Sequence, residues 1–551
     1  MKNKICTFIQ NKNISIVILL LVLLVSLFVL DTPKPKDRDV SGFSAVRVSE
    51  HIKEISKKPH SYYDQDELEE VRVYIEDTLS NYLDASNVSR MGYSLNEMEN
   101  VLGDKLRDED IYPLENILGV LPGENSEGIL LIAHFDSRGH IGRANELGGS
   151  YGAMDDGYGV GTLLELAYLF KDKDIKNSIY FLFTDAEEVG LYGAYMAAND
   201  NYFKDKIKMI INVESRGSSG PAYMFETSKN NKRLIDLYQH ASYPVTYSMA
   251  TAVYSVMPNF TDFTPFVDNG YIGLNFANLE GIKSYHTPFD RYEFIDFSTI
   301  QHFGSQIEPI LNEFVSNSKY IEDHYFKSNE DHVFFTILPN VLIKYSDTLA
   351  KVFSILLLVL FGALLFFYYK DNLNKNLFKK LLPKMLLFAG GMVVISLVYS
   401  YLVAFLGKVD FKITYVRVLE MELPTIILFG IITYFAAKKI IKSNFDQVLI
   451  IGISINLLLA LLTSFTLTGA SFLFFITALL GSLSLFVSKF NYKYLKHVTY
   501  ILSYSLMLFL ILPILYSFYL ALTVGGAAIL MVLYLISLST FLPIILKQFT
   551  V

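Results

Sequence analysis

From about residue 115 the chain alternates short apolar runs with stretches whose apolar residues recur at helical spacing. The runs NILGVL (116–121), GILLIAHFD (128–136), SIYFLFTD (178–185), KIKMIINVE (206–214) and YIGLNFAN (271–278) predict strands. GVGTLLELAYLFKD (159–172), GLYGAYMAAN (190–199), RLIDLYQHA (233–241) and STIQHFGSQIEPILNEFV (298–315) predict helices. The strand runs are continuously apolar rather than alternating, which implies a sheet covered on both faces. The expected fold class is α/β, a mostly parallel sheet sandwiched by helices. Ahead of it, HIKEISKKPHSYYDQDELEEVRVYIEDTL (51–79) has helical periodicity, with His51 and His60 expected at the surface.

A different pattern brackets this unit. ISIVILLLVLLVSLFVL (14–30) is one apolar stretch preceded by Lys2, Lys4 and Lys12. No small-residue cleavage site follows in SLFVLDTPKP, so it reads as an uncleaved signal anchor. Beyond about residue 348 further spans are expected near 350–369, 385–407, 423–437, 447–467, 470–488, 497–517 and 522–546. The loops 369–384, 438–445 and 488–497 are lysine-rich and should be cytoplasmic, as should the N-terminus. Alternating spans satisfy all of these assignments. They give a cytoplasmic tail (1–13), an anchor helix (14–30), an extracytoplasmic domain (31–349) and an α-helical multi-span membrane domain (350–551) with about seven spans. The expected location is the cell membrane, with the lipid bilayer as one partner. Asp347, Lys351, Glu420 and Glu422 sit at span edges, whereas an ion path leaves charges at mid-membrane. The bundle is therefore expected to anchor and scaffold.

Charge sharpens the division. Residues 31–336 hold 27 Lys and Arg against 49 Asp and Glu, a net of −22; the remainder holds 20 against 6, or +14, giving −8 for the chain. An acidic block of this kind excludes nucleic acid as a partner, since a phosphate-binding surface is basic. The single cysteine, Cys6, excludes an intrachain disulfide.

The candidate chemistry lies where strands end, the edge at which such sheets bind ligands. His134 and Asp136 end one strand; Asp185, Glu187 and Glu188 another; Glu214 a third. Asp155 and Asp156 lie in YGAMDDGYG (151–159), and His286 in SYHTPFD (284–290). Ionised carboxylates at the end of a buried strand are costly unless a positive group meets them. No lysine or arginine lies between Lys176 and Lys204, so the partner comes from elsewhere in the chain or is a metal ion. Singly these fragments are weak: an H-x-D is more often a surface turn, and a Glu pair a solvated helix start. Their order and placement change the weighting.

IAHFDS, GAMDDGYGV, TDAEEVGLYGA, NVE, TDFTPF (261–266) and SYHTPFD occur in that order. Together they resemble the M28 zinc aminopeptidases over about 115–320, a zinc-exopeptidase-like fold. The flanking spans, and NVESRGSSGPAYMFETS (212–228), resemble the membrane-anchored branch of endoplasmic-reticulum metallopeptidases and vacuolar membrane proteases. The resemblance implies two Zn2+ per chain: His134 with Glu214 on one, His286 with Glu188 on the other, and Asp155 bridging. Asp156 is the alternative bridge, although the GAxD register favours Asp155. Glu214 is a mild departure, because related families often have Asp there. Asp136 would accept the second N–H of the His134 imidazole, and Glu187, beside a ligand, would be the general base. The implied reaction is removal of residues from peptide or protein N-termini. The family also holds carboxypeptidases, dipeptidases, glutaminyl cyclases and non-catalytic relatives that have lost ligands or base. Asp185 is expected as a turn residue and Arg216 in a structural role; Asp262 and Phe263 match a motif without an assigned task.

Overall fold

The five expected strands form, and two edge strands join them. In the computed structural model, one sheet contains β1 (Val88–Tyr93), β2 (Leu114–Leu121), β3 (Asn125–His134), β4 (Asn177–Thr184), β5 (Ile207–Ser215), β6 (Ser219–Thr227) and β7 (Gly273–Glu280). Their order is β1-β2-β4-β3-β5-β7-β6. The structure describes residues 21–540 apart from 23, 107–110, 140–148, 256–258, 371–376, 413–415, 417, 419–420, 441–444 and 491. The central strands β4, β3, β5 and β7 pair in parallel. Antiparallel strands extend this centre on both sides, β2 and β1 at one edge and β6 at the other, so the whole sheet is mixed.

The continuous apolar runs follow from burial on both faces. Ile129, Leu131 and Ala133 of β3, with Ile179, Phe181 and Phe183 of β4, pack on one side. Their neighbours there come from α1 (Ala45–Ile55), α2 (Gln65–Tyr82), α3 (Gly157–Phe170) and α7 (Phe297–Ser316). The intervening Leu130, Ile132, Tyr180 and Leu182 pack on the other side, against Ala194, Ala197, Phe203, Phe263 and Phe266. Each such Ile, Leu or Phe contributes about 1.5–3 kcal/mol by leaving water. The expected helix at 190–199 begins earlier and is broken. It forms α4 (Glu187–Gly190) and α5 (Tyr192–Asn199) around Leu191, whose φ is +60°. Gly193 is required at this break, because a Cβ there would lie 2.4 Å from the Asp185 carbonyl oxygen. α6 (Phe263–Asp268) follows later in the chain.

His51 and His60 are not at the surface; they are 8% and 2% exposed. His51 lies on the face of α1 that also buries Val48, Ile52 and Ile55, and its Nδ1 meets the Tyr74 hydroxyl at 2.8 Å. His60 donates from Nδ1 to the Lys58 carbonyl, and its backbone exchanges hydrogen bonds with Ser137.

Of the described residues, Leu30–Lys344 forms one compact unit, and those before and after it form another. Among the described residues five helices are long and apolar enough to cross a membrane: Asp347–Tyr369, Lys379–Leu406, Asp446–Thr466, Thr468–Ser488 and Leu495–Leu522. Glu422–Ile440 is also helical, and Val524–Ser539 is a shorter apolar helix. Several polar side chains within the bundle bond one another or the backbone. Ser354 meets Ser464 at 2.9 Å, and Asn456 donates to the Ile536 carbonyl at 2.8 Å. The expected tail 1–13, residues 14–20 of the expected anchor, Glu420 and residues 541–546 of the last expected span lie outside the described residues.

Candidate metal centre

Strand register brings the candidate ligands to one level. His134 pairs with Thr184, and Ile132 pairs with Asn212, so His134, the Asp185–Glu188 turn and Glu214 emerge together at the carboxyl edge. The loop into α3 adds Asp155 and Asp156. The loop after β7 adds His286, whose φ is +56°. His134, Asp155, Glu188, Glu214 and His286 are all buried.

They form two triads that share one residue. His134, Asp155 and Glu214 make one group; Asp155, Glu188 and His286 make the other. Asp155 Oδ1 lies 3.3 Å from His134 Nε2, and Asp155 Oδ2 lies 3.3 Å from His286 Nε2. Glu214 Oε2 is 3.7 Å from His134 Nε2, and Glu188 Oε2 is 3.2 Å from His286 Nε2. Asp156 is placed differently: its side chain caps α3 by accepting the Gly159 N–H at 3.0 Å. Of the two adjacent aspartates, Asp155 is therefore the one that faces both imidazoles.

The donor set fits a pair of zinc ions. Imidazole nitrogens and carboxylate oxygens are zinc ligands, and three protein donors per ion leave room for water and substrate. Glu188 Oε2 pairs with Arg138, but Oε1 of the same carboxylate is buried without a hydrogen-bond partner, a position that is costly unless a ligand meets it. Electrostatics agree. Burial opposes ionisation of Asp155, yet the two imidazoles hold its carboxyl below the ordinary range. Burial also disfavours protonated His134, yet Asp136, Asp155, Glu187 and Glu214 raise its pKa well above the usual value. Glu214 is pushed well up by burial and by Asp156, Asp155 and Asp262, against the pull of His134.

Asp136 sits differently from its expected role. The His134 Nδ1–H donates to the backbone carbonyl of Asp136 at 2.9 Å, while the carboxylate is 3.5 Å away. That carboxylate accepts instead from the N–H groups of Glu187, at 2.9 Å, and Glu188, at 3.2 Å. One residue thus sets the imidazole tautomer with its main chain and holds the glutamate pair with its side chain. Glu187 is partly exposed beside the triads. Burial first, then Glu214, Glu188 and Asp262, push its carboxyl well above the ordinary range, with His134 opposing.

The cations absent from 177–203 arrive from distant segments. Arg138 Nη1 reaches Glu188 Oε2 at 3.1 Å. Arg72 Nη2 reaches Asp185 Oδ2 at 2.9 Å, and Asp185 also accepts the Glu115 N–H at 3.1 Å. Asp185 is therefore half of a buried ion pair rather than a plain turn residue. Arg216 lies over the Tyr285 ring at 5.7 Å, and that ring stacks on His286 at 3.7 Å. Asp262 accepts from the Thr184 hydroxyl, and burial raises its carboxyl to about 7. Asp290 accepts from Ser150 Oγ (2.7 Å), Met154 N (2.7 Å) and Asp155 N (3.4 Å), and so fixes the loop carrying Asp155. Asp290 stood in the SYHTPFD motif and Arg138 two residues past Asp136, so both could have been singled out. Nothing local marks Arg72.

Two buried imidazole–carboxylate triads that share Asp155, on the carboxyl edge of a covered sheet, make a candidate site for metal ions. Residues 116–311 match peptidase family M28, so the chain contains a peptidase M28 domain. It is 30% identical over 235 residues to the putative endoplasmic reticulum metallopeptidase 1 of Schizosaccharomyces pombe, covering 42% of this chain and 27% of that protein. It is 28% identical over 341 residues to the vacuolar membrane protease of Candida tropicalis, covering 59% and 35%. The chain thus spans between about a quarter and about a third of the length of these relatives. Among solved structures, the glutaminyl cyclase of Porphyromonas gingivalis is similar at 19% identity and a TM-score of 0.39, over 49% of this chain and 98% of that one.

Proposed function

We propose that this chain is a membrane-bound dinuclear zinc exopeptidase, an aminopeptidase acting on peptide or protein N-termini outside the cytoplasm. The observation that carries this reading is the pair of buried triads sharing Asp155, with Glu187 beside them. His134 and Glu214 would hold one zinc, His286 and Glu188 the other, and Asp155 both. When bound, such a pair supplies Lewis-acid activation of water and of the scissile carbonyl.

The chain's own residues supply the rest. Glu187, with its raised carboxyl, takes a proton from the attacking water and returns it to the departing amine. Asp136 anchors the backbone of Glu187 and Glu188, which fixes the base relative to the ligand. The carboxylates of Asp156, Glu187 and Asp262 exceed what the ligand set needs, and favour the ammonium end of a peptide over its carboxylate end. The lysine-rich loops support the extracytoplasmic placement.

The test uses full-length protein in detergent and matched peptides with free or acetylated amino ends. Free-amine peptides are trimmed, a chelator stops the reaction, zinc restores it, and Glu187→Gln keeps its metal without turnover. Two bound equivalents of zinc with no peptide cleaved would move the chain to another substrate class. Neither metal nor cleavage would leave a non-catalytic binding module.

A further inference from the structure

The edge strand β6 breaks its pairing just where its sequence turns polar. Met224 pairs with Phe276, but the next pairing is Glu226 with Asn275, so Phe225 is an extra residue and the strand bulges. A bulge re-aims the side chains around it. Met224 packs in the core beside α3 and α7, and in an unbroken strand Glu226, two residues on, would share that face. Instead Glu226 Oε2 accepts from Asn275 Nδ2 at 2.8 Å, and Asn275 Oδ1 accepts from Asn212 Nδ2 at 3.0 Å. Asn212 precedes the ligand Glu214 by two residues on the same face of β5. Asn275 Nδ2 also donates to Thr261, the neighbour of Asp262, at 2.8 Å. The bulge therefore delivers Glu226 to the side of the sheet that carries Glu214.

Aromatic groups flank it there. The rings of Phe225 and Tyr254 meet edge-to-face at 4.9 Å, and the Thr251 hydroxyl ties the short helix Ser248–Tyr254 to the Phe225 carbonyl at 3.2 Å. Burial raises the Tyr254 hydroxyl well above its usual pKa; Glu226, Glu214 and Tyr285 add to this and Arg216 opposes it. Tyr254 thus lies within electrostatic reach of both the bulge and the metal site. Phe225, Glu226 and Tyr254 each keep part of their surface in solvent. Among the described residues Glu226 forms no ion pair. Its neighbouring charge is Asp268, which is also negative, and burial together with Asp268 raises its carboxyl to about 7 while Asn275 opposes. A part-buried carboxylate without a counter-ion, beside aromatic faces, is suited to an organic cation.

We propose that Glu226, with Phe225 and Tyr254, selects substrates whose N-terminal residue has a cationic side chain, lysine or arginine. This rests on the aminopeptidase reading, and it assigns the selectivity to one carboxylate. Glu226→Gln keeps a carbonyl oxygen for Asn275, so the strand can hold while the charge is lost. Glu226→Asp keeps the charge on a shorter arm.

The experiment compares kcat/KM for peptides that differ only in N-terminal lysine or norleucine, using the full-length zinc-loaded protein. The lysine peptide is favoured by about tenfold or more, Glu226→Gln cuts the lysine-to-norleucine ratio by about tenfold, and Glu226→Asp recovers part of it. Binding of lysinamide and norleucinamide, measured by calorimetry, follows the same ratio without any turnover. Selective lysinamide binding that Glu226→Gln abolishes, in a protein that hydrolyses no peptide, would fail the peptidase reading and keep this one. A ratio near one in the wild type, or a ratio that Glu226→Gln leaves alone, overturns it. A proportional loss on both substrates overturns it as well.

Discussion

Arg72→Leu tests how the buried end of β4 is stabilised. Arg72 is 4% exposed and Asp185 0%, and they meet at 2.9 Å. Removing one partner of a buried pair costs about 3–5 kcal/mol when the other charge must stay. Asp185 has an escape, because it can take up a proton. With Arg72 present its pKa is already about 6, raised by burial against the pull of Arg72. The unfolded value is about 3.9. The sign follows from the raised folded value. The contribution is fully present below about pH 4 and is lost as pH rises toward the folded pKa, at about 1.4 kcal/mol per unit. In the wild type that loss ends near pH 6. In Arg72→Leu the folded pKa moves higher, so the loss continues through neutral pH. At pH 7 protonation limits the added electrostatic cost to about 1.4 kcal/mol. By pH 8.5, about 2.5 units above the wild-type pKa, the same limit rises to about 3.4 kcal/mol, the lower end of the range for breaking a buried pair. Thermal unfolding of full-length protein in detergent, followed by tyrosine fluorescence between pH 6 and 8.5, measures the difference. Arg72→Leu with Asp185→Asn should remove most of the pH dependence, since neither charge remains. A destabilisation that does not change with pH, or that the second substitution does not flatten, would refute the reasoning.

Three further outcomes are expected. Glu187→Gln lowers kcat by about 10²–10⁴-fold with zinc content unchanged, checked by steady-state kinetics beside elemental analysis. Asp155→Asn lowers the zinc content below two equivalents per chain, because one carboxylate faces both imidazoles; unchanged stoichiometry would contradict the shared arrangement. Asp290→Ala leaves Ser150 Oγ and the Met154 N–H without their buried acceptor, costs about 1–3 kcal/mol, and loosens zinc binding in a chelator competition.

The strands that carry the site were readable because two-sided burial makes them apolar throughout, as at 129–133 and 179–183. The edge strands were not. β1 alternates partly exposed residues, and β6 contains Gly220 and Pro221, which argue against a strand unless it lies at an edge. Parallel or antiparallel order leaves little local trace, so the mixed character emerged only with the structure. The site residues were visible because each lies at a strand end or in a glycine-bearing loop. Their supporting partners depend on tertiary contact: Arg72 stands 113 residues before Asp185. His51 did carry a signal, since it falls in helical step with Val48, Ile52 and Ile55. The role of Asp136 hinged on which of its oxygens, main-chain or carboxylate, faces His134, a matter of backbone geometry that spacing does not encode.

The position of Glu226 on a bulged edge strand also bears on how this protein can change over time. His134 and Glu214 stand on central strands pressed from both sides, where a substitution disturbs two packed layers at once. Glu226 has one neighbouring strand and a partly open surface. Replacing it asks little of the core, so under the proposed reading the choice of N-terminal residue could change in descendants of this gene while the two buried triads stay as they are.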